Sequence, residues 1–516
     1  MNTRVLDSPA APSGTQVRLD TEILVVGAGF AGLAMAISLE RAGMGSFVVI
    51  ERAADLGGTW RENRYPGCAC DIPSVLYSFS FARNPKWTRS YPLQQEIWDY
   101  LRFVADKFNV RRHIRFDAEM VETRWDEADM TWHTQLADGS TIVSRFIVAG
   151  FGPLSNPDVP RIAGLETFKG ECWHSAQWRS DVDLRGKRVA VIGTGASAVQ
   201  LVPRIAPEVA KLYVFQRTPG WILPKPDYPI SPVQKWLRNF KPIAWLERQA
   251  TYWMIESRAY GFTVNPNALK LAEGIARKHR DRQLQSAELR AKMTPTYRLG
   301  CKRIIPSNDY YPAFNLPQVE LVTEGIAEIR EHSIVDERGT EREVDVIILG
   351  TGFRTTDGLT PLKVYGAGGR ELNDAWRDGM AAFYGVSIAG FPNFFLLLGP
   401  NTALGHNSVV LMIEAQVRHL MRVFKLLRAT GARAVGVRED VQDAFNARLQ
   451  RKMRGTVWST GCKSWYLDKN GKNTTLWPEF TFDYFRKVER VRPENYTLIG
   501  APATSAVRAA GPRGNG

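Results

Sequence analysis

The chain has 516 residues, enough for two or three domains. Hydrophobic residues at 44% and charged residues at 23% are ordinary for a globular protein, and no apolar run reaches the roughly 18 residues of a membrane helix. The net charge of +14 would suit nucleic acid or a membrane surface, but no helix-turn-helix, zinc-finger or RNA-binding signature accompanies it, so a basic solvated surface is expected.

Residues 1–20 contain no apolar stretch of the signal-peptide kind, and their Pro, Ser and Gly suggest a disordered lead-in. Thr21–Val26 then reads as a short apolar strand. It runs into Gly27, Gly29 and Gly32, an apolar helix over Leu33–Arg41, a second strand over Ser46–Ile50, and Glu51. Strand, glycine turn, helix, strand and terminal acid together make a dinucleotide-binding unit. The glycines permit a tight turn and a close approach of backbone to pyrophosphate, and the acid can hold ribose hydroxyls. Gly57-Gly-Thr-Trp60 and Tyr65-Pro-Gly67, ending at Asp71, form a turn-rich cluster. About Glu119 to Gly139 a small antiparallel insert is expected, with Asp138-Gly139 as a hairpin turn. Arg145–Gly150 is a further strand, and Phe151–Pro157 breaks the pattern.

A second unit begins at Lys187–Ile192 and repeats the layout with Gly193, Thr194, Gly195, Ser197 and Ala198 at its turn. Glu51 stands 24 residues after Gly27, and Arg217 stands 24 residues after Gly193. Laid over each other, the two units put an acid where the other has an arginine. An acid suits a free ribose hydroxyl and an arginine suits a 2′-phosphate. The first unit is therefore expected to take FAD and the second NADPH, with Arg217 at the phosphate end.

Lys235–Tyr260 and Ala268–Met293 show helical periodicity and predict a helical insertion. Its aromatics Trp236, Trp245, Tyr252 and Trp253 are expected in the core. Arg277, Lys278, Arg280 and Arg282 are expected on a solvated helix face. Gly300-Cys-Lys-Arg303 and Asn308-Asp-Tyr-Tyr311 follow. Glu343–Leu349 is a strand ending at Gly350 and Gly352. Gly390–Phe394, Gly399–Asn401 and Gly405–Ser408 lead into an amphipathic helix over Glu414–Leu427, and the tail after about Ala501 is expected to be flexible. The five cysteines, Cys68, Cys70, Cys172, Cys301 and Cys462, are odd in number and scattered, which predicts reduced thiols in a cytoplasm. No metal-ligand cluster emerges.

The stretch joining the two units, Phe168-Lys-Gly-Glu-Cys-Trp-His-Ser-Ala-Gln-Trp178, reads F-x-G-x-x-x-H-x-x-x-W. It resembles the fingerprint of the type I Baeyer–Villiger monooxygenases, up to Trp178; the family continues with Pro or Asp, and here Arg179 follows. Gly58, Trp60, Tyr65, Pro66, Gly67 and Asp71 resemble a second fingerprint of that family, whose loop lies along the flavin. Gly300–Arg303 with Asp309-Tyr-Tyr311 resembles the segment carrying its active-site arginine, and Ser464-Trp465-Tyr466 its C-terminal segment. The resemblance implies an α/β fold with two Rossmann-like dinucleotide-binding domains, the NADP domain inserted into the FAD domain. Residues 21–152 and 357–500 would bind FAD, 153–222 and 298–356 would bind NADP, and 223–297 would be the helical insertion, with 501–516 as tail. It also implies roles. Gly27, Gly29, Gly32, Glu51, Gly58, Thr59, Trp60, Asp71 and Tyr77 would serve FAD. Gly193 to Ala198, Gln216 to Thr218, Lys302, Arg303 and Trp465 would serve NADPH. Arg303 and Asp71 would be catalytic, and His174 would couple domains.

The activity implied is NADPH- and O2-dependent conversion of a ketone to an ester or lactone through a flavin C4a-peroxide. The alternative is a flavin monooxygenase acting on nitrogen or sulfur. The expected partners are a small-molecule ketone and O2, with no nucleic acid and no membrane span. The oligomeric state is open, with a monomer favoured.

Overall fold

The computed structural model describes residues 19–356 and 358–501. Nearly all of the expected lead-in and of the expected tail lie outside the described residues.

Two sheets organise the chain. The first has eight strands. Thr21–Val26 lies in its middle, parallel to Phe47–Ile50 on one side and to Thr141–Ala149 on the other. Its alternate residues face different cores. Ile23 and Val25 pack with the Phe30–Arg41 helix, while Leu24 and Val26 join a cluster holding Trp125 and Trp132. A strand covered on both faces reads as a continuous apolar run, as this one does. Met120–Asp126 and Thr131–Leu136 form the expected antiparallel insert, which continues into Thr141–Ala149. Gly139, at φ +83°, makes the turn between the last two strands.

The second sheet has five strands, all parallel, in the order Val319–Val322, Lys211–Phe215, Arg188–Ile192, Val346–Leu349, Glu171–His174. The chain leaves the first sheet after Ala149, builds this second sheet, and returns. Phe394–Leu396 then pairs beside Thr141–Ala149. The fold is thus two Rossmann-like α/β units, the second inserted into the first. After the return comes a helix over Val409–Thr430, longer than the periodicity predicts. Ser408 caps its start by accepting from Val410 N, and Gly431 at φ +68° ends it.

Residues 223–297 are helical, but in shorter pieces than expected: Pro232–Leu237, Lys241–Glu256, Ala259–Thr263, Leu269–Gln283 and Ala287–Lys292. Pro242 sits in the first turn of the second piece, where a missing N–H leaves no bond unmade, and Pro266 interrupts the chain before the fourth. The aromatics expected in the core separate. Tyr252 is buried, whereas Trp236, Trp245 and Trp253 are 60%, 51% and 56% exposed. Of the basic run, Arg280 is buried and pairs with Asp281, and Arg277, Lys278 and Arg282 are exposed.

Candidate active site

The first glycine turn is fixed by sterics. Gly27 has φ +93°, and a Cβ there would lie 2.7 Å from the Gly150 carbonyl oxygen. One on Gly32 would lie 1.8 Å from the Gly27 oxygen. Gly29 begins the Phe30–Arg41 helix with no side-chain cap and no acid in the first turn. Bare Gly58 lies against bare Gly29. The result is an open helix N-terminus with unsatisfied N–H groups, which fits a pyrophosphate. Glu51 ends its strand almost fully buried. Its Oε2 accepts from Ala28 N at 2.8 Å and its Oε1 from Ala53 N at 3.1 Å, which seats the acid against the turn.

Gly58 leads into a short helix, Thr59–Glu62. The Trp60 indole N–H donates to the Tyr77 hydroxyl at 3.1 Å, and Tyr77 meets the Phe30 ring edge-on at 5.2 Å. These rings form an aromatic wall beside the first turn of the Phe30–Arg41 helix. Further along the same loop, Asp71 receives Arg303. The guanidinium donates from Nε to Oδ2 at 2.9 Å and from one terminal nitrogen to Oδ1 at 2.7 Å and Oδ2 at 2.6 Å. The Asp71 carboxylate raises the Arg303 pKa above its already high ordinary value, against the effect of burial, so the charge is permanent. The fork leaves Arg303 about one-third exposed.

The second unit repeats the glycine turn. Gly193 has φ +112°, and a Cβ there would lie 2.4 Å from the Gly350 oxygen. Gly195 opens the Ala196–Ile205 helix, again without a side-chain cap. Ala198 is buried against Gly350, and Ser197 in the first turn faces Tyr65. Thr194 Oγ1 donates to the Thr218 carbonyl at 3.1 Å, tying the turn to the end of the next strand. Gln216 is buried and its amide donates to the Lys292 carbonyl, so its side chain is turned into the scaffold. Arg217 is exposed. Burial, and then the like charge of Arg217, lowers the Lys302 pKa from its ordinary value. Among the described residues neither cation has an ion-pair partner. Two neighbouring cations without ion-pair partners have the chemistry to hold an anion.

Several residues that serve this site escape a sequence reading. Gln200, on the Ala196–Ile205 helix, accepts from Tyr65 OH at 3.0 Å and from Ala69 N at 3.2 Å, and donates to the Ala69 carbonyl at 2.9 Å. It fastens the loop carrying Asp71 to the second unit. Tyr466 is 1% exposed beside Arg303. Burial pushes its phenol up to about 12, against the pull of the guanidinium. Its neighbour Trp465 is 40% exposed, with the two ring centroids 4.4 Å apart. The expectation of reduced thiols fails for two cysteines. Cys301 and Cys462 form a disulfide, while Cys68, Cys70 and Cys172 are free. The bond joins the residue before Lys302-Arg303 to the loop before Trp465-Tyr466, a proximity that only the folded chain creates.

His174 ends the edge strand of the second sheet, paired with Leu349, and its ring meets Phe353 edge-on at 5.4 Å. Its Nδ1 accepts from Ala176 N, and burial lowers its pKa, so the ring is neutral at pH 7. Trp178 meets Trp173 edge-on, and Arg179 pairs with Asp181 and Glu171 at the surface. The Phe168–Trp178 stretch and the Gly350–Phe353 stretch thus lie side by side where the chain passes between the two units.

Residues 20–357 match the flavin-binding monooxygenase-like family. A Baeyer–Villiger monooxygenase of Streptomyces coelicolor is 46% identical over 499 residues, covering 96% of each chain. Another, of Pseudomonas aeruginosa, is 46% identical over 484 residues, covering 93% of this chain and 92% of that one. A crystal structure of OTEMO in complex with FAD and NADP superposes with a TM-score of 0.85 at 26% identity, covering 93% of this chain and 99% of that one. The chain belongs to the Baeyer–Villiger monooxygenases of the flavin-binding monooxygenase-like family.

Proposed function

We propose that this enzyme inserts one oxygen atom of O2 beside the carbonyl of a ketone, giving an ester or lactone, while the other atom leaves as water. NADPH supplies two electrons and is released as NADP+, with one further proton taken from solvent. The observation that carries this reading is the Arg303–Asp71 fork, in which the loop that follows the Trp60–Tyr77 aromatic wall holds a permanent guanidinium charge through Asp71.

On this reading residues 21–152 and 357–500 hold FAD, residues 153–222 and 298–356 hold NADPH, and 223–297 wall the cleft. The open turn of Gly27, Gly29 and Gly32 fits the FAD pyrophosphate, and Glu51 fits a ribose. Gly58, Thr59, Trp60, Asp71 and Tyr77 border the ring system. Bound flavin supplies hydride acceptance from NADPH and activation of O2. The turn from Gly193 through Thr194, Gly195 and Ser197 to Ala198 fits the NADPH pyrophosphate. Arg217, with Thr218 and Lys302 beside it, fits the 2′-phosphate, and Gln216 holds the strand end that presents them. Trp465, exposed beside Tyr466, would contribute to the NADPH site.

Arg303 stays protonated and stabilises the negative charge that develops on the substrate's carbonyl oxygen. Asp71 fixes the fork, and the neutral Tyr466 phenol packs against it. Nothing here demands a second acid or base on the substrate, and the neutral, walled-in His174 is suited to coupling the two linkers. The reading keeps the enzyme in the cytoplasm as a monomer because NADPH is at hand there; the Cys301–Cys462 disulfide removes the argument from reduced thiols. The FAD-loaded protein should oxidise NADPH in a ketone-dependent manner, with an ester appearing by gas chromatography. NADPH oxidation without ester from any ketone in a broad panel of cyclic, linear and aromatic ketones would overturn the proposal.

A further inference from the structure

The loop carrying Asp71 is held from two sides. On the side of the first unit, Cys70 N donates to the Pro92 carbonyl at 2.9 Å and Gln94 N donates to the Cys68 carbonyl at 3.0 Å, which sets Ala69 opposite Leu93 as in an antiparallel pair. A residue between two such bonds turns its own N–H and C=O to the opposite edge. That edge of Ala69 faces the Ala196–Ile205 helix of the second unit, and the Gln200 amide meets both groups. Its Oε1 accepts from Ala69 N at 3.2 Å and its Nε2 donates to the Ala69 carbonyl at 2.9 Å. Among the described residues neither backbone group has another partner. The same Oε1 accepts from Tyr65 OH at 3.0 Å. Loop and helix touch closely here, since a Cβ on Gly67 would lie 2.6 Å from the Gln200 carbonyl oxygen. A neutral side-chain amide supplies donor and acceptor together, as this position requires.

Two residues further on, Arg303 grips the same loop at Asp71. Its segment is joined to the Gln200 helix, because Arg204 pairs with Asp309 at 3.0 Å and the helix packs against Tyr310–Ala313. The loop is therefore pinned to the second unit at two points, Ala69 by Gln200 and Asp71 by the fork. Among the described residues the Asp71 carboxylate accepts from Arg303 alone. Where that carboxylate stands before the guanidinium is thus set by the backbone that carries it, and Ala69 is the nearest point at which that backbone is bonded to the second unit.

We infer that Gln200 is a positioning residue for oxygen insertion: by fixing Ala69 against the second unit it sets where Asp71 stands, and so how Arg303 is aimed. The inference rests on the ketone oxidation proposed above. The test is Gln200→Met in the FAD-loaded, full-length enzyme, a change that keeps side-chain length and helix propensity and removes all three bonds. Ester per NADPH consumed should fall about tenfold, less than for Arg303→Ala, because the charge remains and only its aim changes. The lost electrons should appear as hydrogen peroxide. Flavin content and the KM for NADPH should stay near the parent values, since the Gly193–Ala198 turn and Arg217 are untouched. In an Asp71→Asn background the same substitution should cost less than about twofold, because residues acting through one contact do not add. Hydrogen exchange read by mass spectrometry follows the clamp without any ketone. The Ala69 amide should be protected in the parent and exchange at least about tenfold faster in Gln200→Met. The parent's own protection needs no variant, so the clamp is tested even if Gln200→Met folds poorly. An unprotected Ala69 in the parent would overturn the inference alone. So would a full tenfold loss in both backgrounds, the mark of a merely structural role, or a KM for NADPH raised as much as by Arg217→Ala, the mark of a nucleotide contact. A parent that makes no ester would overturn the proposed reaction, and the inference with it.

Discussion

Replacing Arg303 with alanine removes three N–H···O contacts to Asp71 and the fixed charge proposed to stabilise the reacting carbonyl. Taking one preorganised donor away from developing negative charge costs about 2.7–4 kcal/mol, or about 100- to 1,000-fold in rate. The fold should survive. Both side chains keep some exposure, 34% for Arg303 and 19% for Asp71, so water can reach the abandoned carboxylate. Of the residues proposed to hold FAD only Asp71 is bonded to the guanidinium, and the glycine turn, Glu51, Trp60 and Tyr77 are held by other contacts, so the variant should remain yellow. The assay is ester formed per NADPH consumed at saturating ketone, with hydrogen peroxide measured in parallel. Ester formation should fall by at least about 100-fold, while NADPH oxidation continues and its electrons appear as peroxide. Arg303→Lys should recover part of the loss, since a point charge cannot reproduce the fork. Asp71→Asn should give a milder loss, through misplacement of the guanidinium. A folded, yellow Arg303→Ala enzyme making ester at the parent rate and coupling would refute the reasoning, and the group that stabilises the oxyanion would have to be sought first at Lys302.

Arg217→Ala should raise the KM for NADPH about tenfold to a hundredfold, the worth of a charged hydrogen bond, and leave NADH nearly unaffected; equal losses with both would make Arg217 a structural residue. Thiol titration of the unfolded, unreduced protein should report Cys68, Cys70 and Cys172, with Cys301 and Cys462 appearing only after reduction; five thiols without reductant would contradict the cross-link. Glu256→Ala should lower the urea midpoint by the equivalent of at least about 1–3 kcal/mol, because it strands buried donors on Asn407 and Thr481. Burial opposes ionisation of Glu256, but His406 and these donors win and hold its carboxyl below the ordinary value of 4.5. Its contribution is therefore complete above about pH 4.5 and fades as pH falls through the folded value, so parent and Glu256→Gln stabilities should converge in acid. A gap unchanged with pH would show that the carboxylate's charge is not what stabilises.

The glycine turns were legible because their constraint is local. Gly27 needs a positive φ and Gly32 needs the absence of a Cβ, and both requirements act within one strand–turn–helix unit. The positions of Glu51 and Arg217 were legible for the same reason, each lying just past the strand that follows its turn. Asp71 and Arg303 are 232 residues apart, and nothing in either neighbourhood alone predicts the fork; it came from resemblance to a family. Gln200 and the Cys301–Cys462 bond had no such guide. A glutamine in a helix carries no signature for the loop it will hold, and two cysteines 161 residues apart carry none for their pairing. The aromatic helices failed differently. Periodicity reveals that a helix has apolar stripes, not how many of them the rest of the protein covers. Tyr252 lies on the stripe facing Leu76 and Leu411, and Trp253, one residue on, points the other way.

The central claim is that one atom of molecular oxygen becomes the bridging oxygen of an ester. The direct measurement is turnover of a ketone under 18O2 with NADPH and the FAD-loaded enzyme, the product being read by mass spectrometry. The account predicts a single heavy atom at the alkoxy position of the ester, with the carbonyl oxygen unlabelled and one NADPH consumed per ester formed. An unlabelled ester, or label appearing only in peroxide or in an N- or S-oxide, would contradict it.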